Sequence, residues 1–105
     1  MGELKRGQVW TVSTVGRDRT VVVVQNDHVA ELHSGAVLCA LLDTSGERPE
    51  SLVTVRVSMP LRGMVVAPDL YNFRLTRFED GKYHGDVPME EMESVDTALR
   101  AVLSL

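Results

Sequence analysis

At 105 residues the chain can bury a core of its own, and 44% hydrophobic with 25% charged residues excludes a disordered or fibrous protein. A formal charge of −4, from 15 acids against 11 Lys and Arg, argues against a protein that grips nucleic acid by bulk phosphate neutralisation. The lone Cys39, inside the apolar run Ala36-Val37-Leu38-Cys39-Ala40-Leu41-Leu42, excludes an internal disulfide and reads as a buried small hydrophobe.

The chain begins with a β-rich body. Residues 8–15 alternate weakly, with Trp10 and Val12 on one face, and residues 20–24 form a β-branched run typical of a strand buried on both faces. Gly16-Arg17-Asp18-Arg19 between them reads as the turn of a hairpin. Asp27 is placed to cap a single helical turn through Leu32, ended by Ser34-Gly35. A second buried strand covers residues 36–42, followed by a polar loop at 43–50 that is dense in turn formers. Residues 52–57 alternate as a half-exposed strand. Two more strands are expected at 64–67 and 70–75, because Pro68 is tolerable only at an edge or a strand start. Tyr71 and Phe73 on the second suit a core or a dimer face, with Arg74 and Arg77 beside them. Residues 79–82 form a turn.

The clearest helix is the last element. Met89, Met92, Val95, Leu99, Val102 and Leu103 recur at three- and four-residue steps and make one apolar stripe. Asp86 is the expected cap and Pro88 fits the first turn. Glu90, Glu91 and Glu93 near the start and Arg100 near the end suit the helix dipole. The fold class is therefore α+β: a strongly bent antiparallel sheet closed by a C-terminal helix, one domain over residues 1–105. No export signal precedes the body, since Lys5 and Arg6 lead into a segment broken by Gln8, Thr11, Ser13 and Thr14. The apolar runs are too short to span a bilayer, so a cytoplasmic protein without a membrane partner is expected.

No general catalytic signature is present: no HExxH, no GxSxG, no phosphate loop. His28 and His33 are badly spaced to share a helix face, and His84 reads as a solvated turn residue, so a three-histidine metal site is not expected.

Taken in order, several segments resemble one family. Lys5-Arg6-Gly7-Gln8-Val9-Trp10-Thr11-Val12 is similar to the opening strand of the MazF/PemK toxins of type II toxin–antitoxin systems. Arg19-Thr20-Val21-Val22-Val23-Val24-Gln25-Asn26-Asp27 resembles that family's second signature, with Thr20 where a Pro is usual. Residues 37–45 resemble a third, an apolar strand ending in a Thr/Ser pair. Gly85-Asp86-Val87-Pro88 and the helix after it resemble the C-terminal segment. The resemblance implies an SH3-like barrel with a C-terminal helix, assembled as a homodimer. It also implies a ribonuclease that cuts single-stranded RNA with neither metal nor cofactor and is silenced by a cognate antitoxin protein.

On this resemblance the catalytic arginine is Arg19, and the hydroxyl partner is Thr44, with Arg17 and Ser45 as substrate-binding residues. A guanidinium stays charged at every working pH and matches phosphate bidentately. An ungapped alignment instead puts Asp43 at the hydroxyl position. A carboxylate there accepts but cannot donate, and it would pair with Arg19 in competition with substrate. The connection between the first two strands is also shorter than is usual in the family. Two other functions stay open on these departures: a catalytically inactive MazF-like binding module, and a DNA-gyrase poison of the CcdB kind. The second is disfavoured by a C-terminus that ends Val102-Leu103-Ser104-Leu105 without a Trp.

Overall fold

The computed structural model describes residues 4–26 and 35–103; the helical turn expected at 27–32, with His28 and His33, lies outside them. Six strands form one antiparallel sheet: β1 (Gln8–Thr14), β2 (Arg17–Val23), β3 (Ala36–Asp43), β4 (Thr54–Val57), β5 (Gly63–Arg74) and β6 (Lys82–Asp86). Helix α1 (Met89–Leu103) ends the described chain, and a 3-10 turn at Leu75–Phe78 links β5 to β6. The spatial order is β4-β5-β3-β2-β1-β6. The α+β expectation holds. The bend is strong enough to bring the edge strands together: a Cβ added at Gly85 in β6 would lie 2.9 Å from Pro60, which follows β4. Among the described residues no ladder joins β6 to β4, so hydrogen bonds do not close the barrel.

The first hairpin is tighter than the sequence suggested. Thr14 pairs with Arg17, so Val15-Gly16 alone makes the turn. Gly16 has a φ of 88°, in the left-handed region that a residue without a Cβ enters freely. The Thr14 hydroxyl donates to the Arg17 carbonyl at 2.7 Å and fastens the turn. In consequence Arg17, Asp18 and Arg19 belong to β2, not to the turn.

The two strands expected on either side of Pro68 are one long strand. Ala40 pairs with Leu70, but the next residue, Leu41, pairs with Val66, so residues 67–69 bulge out of the β3 ladder. Pro68 has no N–H to give the ladder, and the bulge places it in solvent without breaking the strand. β6 was not expected, because His84 read as a turn residue and Asp86 as the cap of the helix. It pairs with β1 across a register shift at Val9/Trp10.

Period-2 alternation splits the apolar residues between two faces. Val9, Val22, Ala40, Leu42 and Val65 pack with Met92 and Val95 of α1. Val12, Val21, Val23, Val37, Cys39, Phe73 and Phe78 form a second cluster, flanked by Trp10 and Tyr71. Burying Met92 and Val95 contributes roughly 1.5–3 kcal/mol each, which is what docks α1. The stripe is shorter than its sequence pattern: Met89 and Leu103 at the helix ends are exposed. The expected cap is also not Asp86, whose carboxylate accepts from the Tyr83 hydroxyl at 2.7 Å. The Pro88 carbonyl receives the first helical N–H, from Met92, at 3.0 Å. Cys39 is fully buried, and burial pushes its thiol up to about 12, so it is inert as a nucleophile at neutral pH. No described helix is long and apolar enough to cross a membrane.

Candidate functional site

The site lies where β2 starts and β3 ends. Pairing between these strands stops at Val21↔Leu41. β3 continues to Asp43 only because β5 supports it through Asp43↔Met64. The start of β2 and the loop after β3 therefore diverge, leaving an open pocket of about 500 Å³. Arg17, Arg19, Thr44 and Ser45 all line it, together with Thr20, Asp43 and Arg48. The four residues singled out from sequence thus converge, although twenty-five positions separate Arg19 from Thr44.

Arg17 and Arg19 are two apart on β2 and share a face. The Arg19 guanidinium carbon stands 5.5 Å from the ring centroid of Tyr71, and Tyr71 is stacked on Phe73 at 5.3 Å. This contact contributes about 0.5–1 kcal/mol. Among the described residues neither arginine makes an ion pair, so both keep their N–H donors for a ligand. The Thr44 hydroxyl is exposed and likewise unbonded. Ser45 is tied into the loop, its oxygen accepting the Glu47 N–H at 3.2 Å.

Asp43 does not pair with Arg19. Its Oδ1 accepts the Ser45 N–H at 2.9 Å, and its Oδ2 accepts Nε–H of Arg48 at 2.9 Å. The bond to the N–H two residues on is an Asx turn, a local closure that outcompetes a partner on another strand. The Ser45 N–H first, then the Ser45 hydroxyl and then Arg48 hold the carboxyl at about 2. Arg48 is the residue that the sequence reading missed. Its one signal was its place five residues after Asp43 in a loop of turn formers.

A larger cleft of about 640 Å³ opens on the other side of the same loop. Asp43, Thr44 and Arg48 line both cavities, and the larger one adds Arg56, Arg62 and Glu91. Arg56 is engaged by Glu50 at 2.8 Å, and the Glu91 carboxylate accepts from the Ser58 N–H and hydroxyl at 3.1 and 2.9 Å. Arg74 and Arg77 line neither cavity; Arg77 donates to the Ser13 carbonyl at 3.0 Å. Behind the smaller pocket, Thr20 and Thr11 are bonded at 2.9 Å, and Thr11 meets Nε2 of His84 at 2.7 Å. His84 is thus a strand residue with a partner, not the solvated turn residue the sequence suggested. Among the described residues no three His, Cys, Asp or Glu side chains gather as metal ligands.

Residues 5–103 match the family described as PemK-like, MazF-like toxin of type II toxin-antitoxin system. A search of curated proteins by sequence returns no match. Among solved structures, the chain is similar to an endoribonuclease in complex with its cognate antitoxin from a mycobacterial species. The identity is 26%, with a TM-score of 0.86 and 98% of this chain and 97% of that one covered. A second mycobacterial endoribonuclease is also 26% identical, with a TM-score of 0.85 over 100% of this chain and 95% of the other. The MazF of a MazE-MazF complex from Deinococcus radiodurans shares the fold at 12% identity, with a TM-score of 0.80 over 100% and 99% of the two chains.

Proposed function

The chain belongs to the PemK-like, MazF-like toxin family, and from that premise we propose that it is a cytoplasmic endoribonuclease that cleaves single-stranded RNA without a metal and is neutralised by an antitoxin protein. Arg19 binds the scissile phosphate and stabilises the charge that builds on it as the ribose 2′-oxygen bonds to phosphorus and the 5′-oxygen leaves. Thr44 donates a hydrogen bond to a phosphate oxygen. Arg17 and Ser45 hold the neighbouring part of the strand. The observation that carries this reading is the convergence of Arg17, Arg19 and Thr44 in one open pocket with their donors unspent. The carboxylate that threatened it, Asp43, is occupied by its own loop. Similarity to two endoribonucleases at 26% identity supports the same activity.

The test is cleavage of a long single-stranded RNA in the presence of a chelator. Arg19→Ala loses a charged contact to the transition state and slows cleavage on the order of a hundredfold or more, roughly 3–4 kcal/mol. Thr44→Ala slows it strongly, while Thr44→Ser keeps most of the rate. Equal rates for parent and Arg19→Ala, or activity that appears only with added magnesium or manganese, would overturn the assignment. A parent that binds RNA without cutting it would make the chain a binding module.

A further inference from the structure

Arg48 stands between the two clefts. Its only hydrogen bond among the described residues runs through Nε, to Oδ2 of Asp43. An arginine held by Nε keeps both terminal Nη groups, and the fork that matches a phosphate, directed away from its anchor. The anchor itself is fixed, because the other carboxylate oxygen is bound by the Ser45 N–H. Asp43 is largely covered, with 18% of its side chain exposed, while 42% of the Arg48 side chain remains exposed. Both residues line the pocket of Arg17 and Arg19 and also the larger cleft that contains Arg62.

We propose that Arg48 is a second phosphate-binding cation, seated at the wall shared by the two clefts and holding the nucleotide chain next to the scissile phosphate, and that Asp43 is a positioning residue that acts through it. This rests on the ribonuclease reading above and names how the substrate leaves the small pocket. The strand passes over Arg48 into the larger cleft, where Arg62 is exposed and makes no ion pair among the described residues. Asp43 then has a use at the very position where a carboxylate looked harmful. It repels phosphate less than a free carboxylate would, since its charge is matched by Arg48, and it turns a flexible loop arginine into an ordered fork.

The proposal makes a prediction of opposite sign to simple electrostatics. Deleting a negative charge beside a phosphate site should tighten binding. If Asp43 works by holding Arg48, Asp43→Asn weakens it instead. Binding of a single-stranded RNA oligonucleotide, made uncleavable by 2′-deoxy substitution, is followed by fluorescence anisotropy across a salt series. Arg48→Ala is expected to weaken binding several-fold and to reduce the slope of log K against log salt by about 0.7, the loss of one phosphate contact on a single strand. Arg48→Lys restores the slope but not the full affinity. Asp43→Asn weakens binding in the parent, yet tightens it in the Arg48→Ala background, where there is nothing left to position. In cleavage assays Arg48→Ala raises KM with kcat little changed, the mark of contact made equally in the ground and transition states. Thermal melts compare the folding of each variant with the parent. An unchanged slope for Arg48→Ala, or tighter binding by Asp43→Asn alone, would overturn the proposal while leaving the ribonuclease reading intact. A parent that binds no RNA would remove both.

Discussion

At the scale of the residue, the function hangs on where a few donors and acceptors are spent. Asp43 is the sharpest case, because its carboxylate is satisfied within its own loop and Arg19 is left free for a ligand. The dominant cause of its low pKa is the Ser45 N–H, followed by the Ser45 hydroxyl and then Arg48, and this ordering is measurable. In a carbon-detected titration the Asp43 carboxyl should titrate at about 2 in the parent. In Arg48→Ala it should rise only part of the way to the ordinary value, since the Ser45 bond remains. The sign for stability follows: a depressed folded pKa adds stability above the unfolded value near 4, and that contribution fades as pH falls toward 2. A carboxyl that titrates normally in the parent would mean that the Asx turn does not form in solution.

At the scale of the element, turn chemistry and bulges decide what the hydrophobic pattern alone leaves open. β6 passes close to Pro60 with Gly85 at a φ of 130°, and an added Cβ would sit 2.9 Å from Pro60. Gly85→Ala should therefore cost about 1–3 kcal/mol from backbone strain, with steric contact adding to it. Chemical denaturation checks this, and a loss below about 0.5 kcal/mol, the ordinary range for a surface change, would show that the edge is free to relax. The strands with β-branched or alternating runs, β1 to β4, were legible in the sequence, as was the helix, because periodicity reports burial directly. Three features were not. Val15-Gly16 closes the first hairpin as a two-residue turn, so Arg17 and Arg19 moved from turn to strand. Pro68 was absorbed by a bulge whose partner, β3, is remote in sequence. β6 is short and polar, and it is held by its ladder to β1 and by His84 bonding to Thr11. For the site, Arg19 and Thr44 were readable only through family resemblance. Arg48 was not readable, since nothing local distinguishes it from any solvated loop arginine.

At the scale of the whole molecule, the charge of −4 argued against an RNA-binding surface, but the acids are segregated. Five of the fifteen lie at or beyond residue 86. Three of those are engaged: Asp86 by Tyr83, Glu91 by Ser58, and Asp96 by an ion pair with Arg6. Arg17, Arg19 and Arg48 gather at one pocket and lie outside that C-terminal acidic stretch, so the balance averaged over the chain says little about the cleft. A different surface feature bears on assembly. Leu52, Met59, Met89 and Leu103 are 85, 60, 78 and 53% exposed, and all four belong to the segments around β4 or to the ends of α1. Met89 and Leu103 stand at opposite ends of α1, roughly 20 Å apart, so they offer separate apolar contacts to a partner. Tyr71 and Phe73, which suited either a core or a dimer face from sequence, stack on each other and join the protein's own second core. A standard dimer interface buries about 800 Å² from each partner, roughly one-eighth of the 6601 Å² accessible here. We expect a homodimer at micromolar concentration, a symmetric pair that covers part of these apolar side chains. Sedimentation equilibrium should give twice the chain mass, and adding charge at both Met89 and Leu103 should shift it toward monomer with the melting temperature measured alongside. A parent that remains monomeric throughout the micromolar range would defeat this expectation and leave the exposed helix ends to another partner.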